Sequence, residues 1–337
     1  MLDSLEKLYR GETLDREESK ALFDVVLRGE MEPVILASLL TALKIKGEAP
    51  SEIAGAASAL LAAAKPFPRP DYEFCDIVGT GGDGLHTINI STLAALTGAS
   101  CGIKIAKHGN RSVSSKTGSS DLLDKLGIKL DMSPEQSRRC LDELNVTFIF
   151  APVYHSSFRH AMPVRQTLKT RTIFNVLGPL INPARPTYQL MGVYAESLLL
   201  PIAETLIQLG LSRGMVVHGQ GLDEIAIHGS TQVAHIHDGK INRMELAPED
   251  FGLQRYPLSA IRGGEPEENR KISETILSGQ GTDAQNSAIA INLSPLLLMG
   301  GKVENLKQGA ELAIATLKSG KPMKLVQKLA TLSHQQE

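Results

Sequence analysis

The chain has 337 residues, 42% of them hydrophobic and 21% charged, with a formal net charge of −2. Such a composition describes a folded globular protein with a substantial core, long enough for two domains or for one large domain with an appendage. A charge so close to balance excludes a broad basic surface for nucleic acid or membrane, so basic character matters only where it is local.

In chain order, residues 1–64 read as helices: an amphipathic opening segment, then 15–28, 33–45 and 51–64, the last introduced by Pro50 and the cap-like Ser51-Glu52. Residues 65–70 are too rich in proline for regular structure and form a linker. Beyond them short apolar strands alternate with helices, the mark of a mostly parallel sheet. Strands are expected at 74–78, 103–106, 147–150, 188–193 and 214–217, and helices at 91–97, 119–126, 134–144 and 198–209. Asp238-Gly239 turns an antiparallel edge hairpin between 233–236 and Ile241, and 286–299 and 305–318 are closing helices. The fold class is therefore α/β, a small mainly helical unit ahead of a larger α/β unit with a mostly parallel central sheet. The first residues lack a basic segment followed by an apolar core, and no stretch approaches a bilayer-spanning run, so a cytoplasmic chain without a membrane partner is expected. Cys75, Cys101 and Cys140 are far apart, lack CxxC spacing and read as small buried apolar residues.

Residues 84–120 contain no Asp or Glu at all. The window opens with Gly79-Thr80-Gly81-Gly82-Asp83-Gly84, runs through Asn89-Ile90-Ser91-Thr92, and ends in Lys107-His108-Gly109-Asn110-Arg111-Ser112-Val113-Ser114-Ser115 and Ser119. Backbone amides freed by glycine, short hydroxyls and cations together suit a ligand with separate phosphate groups. The glycine spacing matches a dinucleotide fingerprint, but no acid follows about 20 residues on to take the ribose hydroxyls, and no Gly-Lys-Ser/Thr completes a P-loop. Glycines that merely permit a tight turn would explain the first cluster alone; a second cluster one strand later weakens that explanation.

His218-Gly219-Gln220-Gly221-Leu222-Asp223-Glu224 follows an apolar strand, and adjacent carboxylates at a strand's carboxyl end point to Mg²⁺ shared with substrate phosphates. His228, His235 and His237 are expected on strands and lack the partners of a zinc site. Arg165, at the end of Tyr154-His155-Ser156-Ser157-Phe158-Arg159-His160-Ala161-Met162-Pro163-Val164-Arg165, offers a guanidinium to a planar carboxylic acid, although Arg159, Arg165 and Arg171 also suit a solvated helix face. The Pro- and Gly-rich run 171–183 reads as a hinge or a docking segment.

These four motifs, in this order and spacing over nearly the whole chain, resemble the anthranilate phosphoribosyltransferases, a family with the class II nucleoside phosphorylase fold. Phe158-Arg159-His160-Ala161-Met162-Pro163-Val164-Arg165 is closest to the enterobacterial type, where this unit can follow a glutamine amidotransferase; Ile88 stands where the family often has Phe. The resemblance implies transfer of a 5-phosphoribosyl group from phosphoribosyl pyrophosphate (PRPP) to the amino group of anthranilate. It implies a helical domain over 1–65, completed by a segment near 165–185, hinged to an α/β domain over 71–337. It also implies a homodimer through the helical domains, with an amidotransferase or anthranilate synthase component as a further partner.

By the same resemblance Gly79, Gly82, Asp83, Thr87, Asn89, Ser91, Thr92, residues 107–115 and Ser119 would contact PRPP. Ser91, Asp223 and Glu224 would hold two magnesium ions, and Lys107 would stabilise charge. Gly79, His108, Asn110, His155, Arg165, Gly178 and Pro179 would surround anthranilate. Two other functions compete. A nucleoside phosphorylase of this fold would need a Lys-His-Ser-Thr-Gly-Gly type of motif, absent after Lys107-His108, and a non-catalytic nucleic-acid-binding relative would need a broad basic face.

Overall fold

The computed structural model describes residues 1–111 and 118–335. The chain opens with α1 (Leu2–Tyr9), α2 (Arg16–Leu27), α3 (Pro33–Lys46) and α4 (Pro50–Ala63). Local chemistry sets their ends. Asp15 accepts from Glu18 N–H (2.8 Å) and Glu18 reaches back to Asp15 N–H (3.1 Å), a reciprocal cap at the start of α2. The buried Glu52 accepts from Leu14 N–H (3.0 Å), Ala49 N–H (2.8 Å) and Lys46 Nζ (2.9 Å), so its charge is fully partnered and ties two loops together.

The larger part alternates β1 (Cys75–Gly79), α5 (Ile90–Ser100), β2 (Ile105–Gly109), α6 (Ser119–Lys125), α7 (Pro134–Leu144) and β3 (Val146–Phe150). The short α8 (Ala151–Tyr154), α9 (Met162–Leu168) and α10 (Phe174–Leu177) precede β4 (Tyr188–Gly192), α11 (Leu199–Gln208), β5 (Arg213–His218), β6 (Thr231–His237) and β7 (Lys240–Leu246). Four helices close the chain: α12 (Pro266–Thr275), α13 (Asp283–Met299), α14 (Leu306–Lys318) and α15 (Lys321–Ser333). The sheet order is β3-β2-β1-β4-β5-β6-β7, parallel from β3 to β5 and antiparallel at β6 and β7.

Side-chain alternation along the strands divides the core. Cys75, Ile77, Ile105, Leu190, Met215 and Val217 face α5, α13, α14 and α15. Met191, Val193, Val216, Ala234 and Ile236 face the other way and share one cluster with α2, α3, α4, α11 and residues 161–181, including Val164, Phe174 and Leu177. The helical unit thus packs against the segment that leads from β3 to β4.

Three expectations change. The edge hairpin and the helices of 1–64 stand where the sequence puts them, and so do the strands except that β2 begins later than 103–106 and takes in Lys107 and His108; the short α8, α9 and α10 and the longer α12 and α15 are helices that the sequence did not suggest. His235 and His237 lie on β6, whereas His228 sits in the turn before it. Cys75 and Cys140 are buried, but Cys101 is only half-buried and its Sγ lies 3.2 Å from Thr316 Oγ1.

Candidate active site

In the parallel part of the sheet every strand ends at the same edge, with Gly79 paired to Gly192, Gly192 to Val217, and Gly109 to Phe150. The loops leaving these ends converge on one crevice, the usual ligand position of an open α/β sheet. Gly81, Gly82 and Gly84 take φ of +67°, +81° and +73°, which only glycine adopts at little cost, so the first loop exposes its amides.

From β5 the chain makes a tight turn, closed by Gly219 N–H to Leu222 O (3.0 Å) and its reciprocal (3.2 Å), and then passes under the ends of β1 and β4. Asn292 on α13 pins it there, accepting from Ile225 N–H (2.7 Å) and donating to Ile225 O (3.0 Å). Asp223 Oδ2 accepts from Gly81 N–H at 2.6 Å. This approach requires glycines: a Cβ on Gly79 would lie 2.2 Å from Asp223 Oδ2, and one on Gly192 would lie 1.6 Å from Asp223 O. Gly192→Ala is expected to cost several kcal/mol, by the overpacking rule of about 1–3 kcal/mol and more against backbone; Gly178→Ala, with open space around it, is the unaffected control in thermal unfolding.

Burial, followed by repulsion from Asp83, pushes the Asp223 carboxyl up to about 6. Burial and then Asp223 hold Glu224 well above the usual carboxylate range, against the pull of Lys107 and a hydrogen bond from the Ser91 backbone at the start of α5. The buried Lys107 is pushed down by desolvation and held back by Asp76, Glu224 and Asp223. Gly79, Asp83, Ser91, Lys107, Asp223 and Glu224 therefore share one electrostatic neighbourhood. Hard oxygens in mutual repulsion fit Mg²⁺, which takes one or two carboxylates and completes its shell with phosphate and water. Among the described residues no group of three or more His, Cys, Asp or Glu is placed to hold a metal ion by itself.

Lys107 and His108 are successive residues of β2 and so point to opposite faces. The His108 ring meets His155 edge to face at 5.3 Å between centroids. Because both acceptors are carbonyls, His108 carries its proton on Nδ1, bonded to Gly178 O (3.0 Å), and His155 on Nε2, bonded to Ile181 O (2.9 Å). The other nitrogen of His108, Nε2, is a buried acceptor without a partner among the described residues, whereas the His155 ring also meets the Leu60 backbone. Pro179 O is fixed by Gln189 Nε2 (3.0 Å). Arg165 on α9 is half-buried against the edge-to-face pair Phe158 (5.3 Å) and Phe174 (5.2 Å), whose centroids are 5.0 Å apart, and no carboxylate pairs with it among the described residues. Desolvation lowers its pKa, so the guanidinium sits where an anion would be welcome.

Burial pushes His108 down to about 3 and His155 to about 4, leaving both rings neutral at neutral pH. The unfolded chain binds these protons near pH 6.5 and the folded chain does not, so each ring costs stability as pH falls from about 6.5 towards 4. His155→Gln keeps a donor for Ile181 and removes the titration. Between about pH 7 and pH 5 it should lose up to about 2 kcal/mol less stability than the unsubstituted chain in urea unfolding.

Not every expected residue turns inward. Arg111 Nη1 lies 3.2 Å from Asp121 Oδ1, so the acid that ends the window claims this cation. Asn110 accepts from Arg111 N–H (2.7 Å), Ser119 Oγ reaches Asn110 O (3.4 Å), and Thr87 bridges to Arg262. Asn89 Oδ1 accepts from Asn269 Nδ2 (3.1 Å), whereas the Thr92 hydroxyl is buried without a partner among the described residues. Ser112, Val113, Ser114 and Ser115 lie outside the described residues. Asp76 escaped the sequence reading. It is fully buried on β1, pushed up to about 6 by burial against the pull of Lys107, and accepts from Asn182 Nδ2 (2.9 Å) and His108 N–H (3.3 Å). A single acid inside the apolar run Phe74-Cys75-Asp76-Ile77-Val78 was the available signal.

Comparison with known proteins agrees with this geometry. The helical bundle domain of the glycosyl transferase family matches residues 2–64, and the a/b domain of that family matches residues 71–323. An anthranilate phosphoribosyltransferase from Tolumonas auensis is 71% identical over 336 residues, covering 100% of both chains. The crystal structure of the anthranilate phosphoribosyltransferase from Thermus thermophilus superposes with a TM-score of 0.94 at 41% identity, covering 99% of this chain and 100% of that one. The Saccharomyces cerevisiae enzyme in complex with PRPP and Mg gives a TM-score of 0.90 at 28% identity, covering 98% of this chain and 97% of that one. With its helical bundle, its mostly parallel sheet and matches of this extent, the chain belongs to the anthranilate phosphoribosyltransferase family.

Proposed function

We infer that the chain transfers the 5-phosphoribosyl group of PRPP to the amino group of anthranilate, giving N-(5-phosphoribosyl)anthranilate and pyrophosphate in tryptophan biosynthesis. The observation that carries the reading is the meeting of the buried Lys107 with the crowded carboxylates Asp223 and Glu224 beside the open amides of the glycine loop. The bond between the anomeric carbon and the pyrophosphate oxygen breaks, and a bond from that carbon to the arylamine nitrogen forms. The amine then sheds one proton.

Asp223, Glu224 and Ser91 would hold two magnesium ions. Bound Mg²⁺ would supply neutralisation of the diphosphate charge. Lys107 faces the same charge from β2, and the amides of Gly82 and Asp83, beyond the internally bonded amides of Thr80 and Gly81, would cradle the phosphates. On the other face of β2, Arg165 would orient the anthranilate carboxylate, with Gly79 and Asn110 beside it. The bare Nε2 of His108 would accept an N–H donor near Gly178 and Pro179, with His155 packed against its ring. Arylamine is neutral and already nucleophilic, so positioning does most of the work. The test is direct: anthranilate fluorescence should vanish when PRPP and Mg²⁺ are added together and persist with either alone. Loss of fluorescence without PRPP would refute the reading.

The same proposal divides the molecule into a helical domain of residues 1–65, completed near 165–185, and an α/β domain of 71–337. It includes a homodimer through the helical domains, a cytoplasmic location, and an amidotransferase or anthranilate synthase partner that supplies substrate. Among the described residues no helix is long and apolar enough to cross a membrane. For the dimer, the support is a run of exposed apolar side chains on α1 and α3, with Leu2 71%, Val34 79% and Ile45 81% exposed. Val34→Asp with Ile45→Asp should convert dimer to monomer in sedimentation velocity.

A further inference from the structure

The glycine loop is held from outside the site as well as from within. Arg171 lies beyond the end of α9, three residues after Leu168, on a segment anchored to α3: Lys44 Nζ donates to Thr170 Oγ1 and to Arg171 O (3.1 Å). Its guanidinium crosses to the α/β side, where it stacks 4.0 Å above the Tyr194 ring and donates from Nη2 to Gly82 O. The backbone at Tyr194 holds the other side of the loop, its N–H donating to Thr80 Oγ1 (3.1 Å) while Thr80 N–H donates to Gly192 O (3.0 Å), and the Tyr194 ring is the platform that orients Arg171. Arg171, oriented by the Tyr194 ring, thus fixes Gly82, the backbone of residue 194 fixes Thr80, and Gly81 between them has its own N–H held by Asp223.

We propose that Arg171 and Tyr194 form a latch that positions the glycine loop for PRPP, coupling the segment that carries Arg165 to the phosphate side of the site. The loop needs such a latch because its left-handed glycines leave it many conformations, and each must be lost before its amides can converge on an anion. Arg171 suits this role better than that of a counter-charge. No carboxylate partners it among the described residues, and its contacts are a carbonyl and an aromatic face, which call for a planar donor fork. Lysine would keep the charge and lose both the fork and the stack.

This inference rests on the proposed transferase activity for its kinetic readout, and hydrogen exchange of the ligand-free chain tests it independently. Arg171→Ala and Tyr194→Leu should each raise the KM for PRPP about tenfold, with the KM for anthranilate within about twofold of the unsubstituted value. The double variant should be no worse than either single, since both break one circuit. Tyr194→Phe should behave as the unsubstituted chain, and Arg171→Lys should behave as Arg171→Ala. Amide exchange across residues 79–87 should accelerate in the Ala and Leu variants without ligand. Unchanged exchange, equal rises in both KM values, or rescue by Arg171→Lys would overturn the latch, the last by making Arg171 a charge on phosphate. An unsubstituted chain that fails to consume anthranilate would instead refute the proposed function, leaving the exchange result to decide the latch.

Discussion

Replacing Asp223 by asparagine and Glu224 by glutamine together should lower kcat/KM at least about 10³-fold, or about 4 kcal/mol of transition-state stabilisation, and abolish the dependence on Mg²⁺. The substitutions are isosteric. In Asp223→Asn the new amide oxygen can still accept from Gly81 N–H, so the loop contact survives. The double variant should also unfold at a higher temperature than the unsubstituted chain when Mg²⁺ is absent. Burial and mutual repulsion hold both carboxyls above their ordinary range, so ionising them costs folded-state stability that neutral side chains do not lose. Activity lost with stability gained is the signature of groups kept for chemistry. Retained activity with normal metal dependence, or a lower unfolding temperature, would remove the acid pair from the account.

The second large effect is expected at Arg165. A guanidinium desolvated against a pair of aromatic rings has little to gain from its own neighbours and much from a carboxylate. Arg165→Ala should raise the KM for anthranilate by about 2–3 kcal/mol, roughly 30- to 150-fold, since a hydrogen-bonded charge is lost. The KM for PRPP should move by less than about threefold, because Arg165 lies on the aromatic side of the site and Lys107 with the carboxylates on the other. Steady-state kinetics with each substrate varied in turn decides it, and parallel changes in both constants would sink the assignment.

How much of this was legible in the sequence follows from how local each signal is. The glycine loop, the acid-free window and Asp223-Glu224 are contiguous, and a parallel sheet brings the carboxyl ends of its strands together, so their convergence could be read without coordinates. Features that depend on register between distant strands could not be read that way. Asp76 with Asn182, and Arg171 with Tyr194 and Gly82, join residues far apart in the chain, and neither partner advertises the other. Asn292 looks like any polar residue in an apolar helix until Ile225 is found beside it. The same limit explains the missed helices. In α12 the run Pro266-Glu267-Glu268-Asn269-Arg270-Lys271 is so polar that no apolar face stands out, and only Asn269 and Ser273 are buried. In α15, Gly320 and Pro322 read as a stop, although proline is tolerated in the first turn and Val326, Leu329 and Leu332 form the buried face.

Asp223-Glu224 and Lys107 face each other across one crevice, where a diphosphate and its metal would bind. An anomalous difference map from crystals soaked with PRPP and Mn²⁺ tests that placement most directly. The predicted result is manganese against the carboxylates of Asp223 and Glu224, with the diphosphate at the amides of Gly82 and Asp83 and within reach of Lys107. Diphosphate bound elsewhere, or bound there with manganese away from both carboxylates, would contradict it.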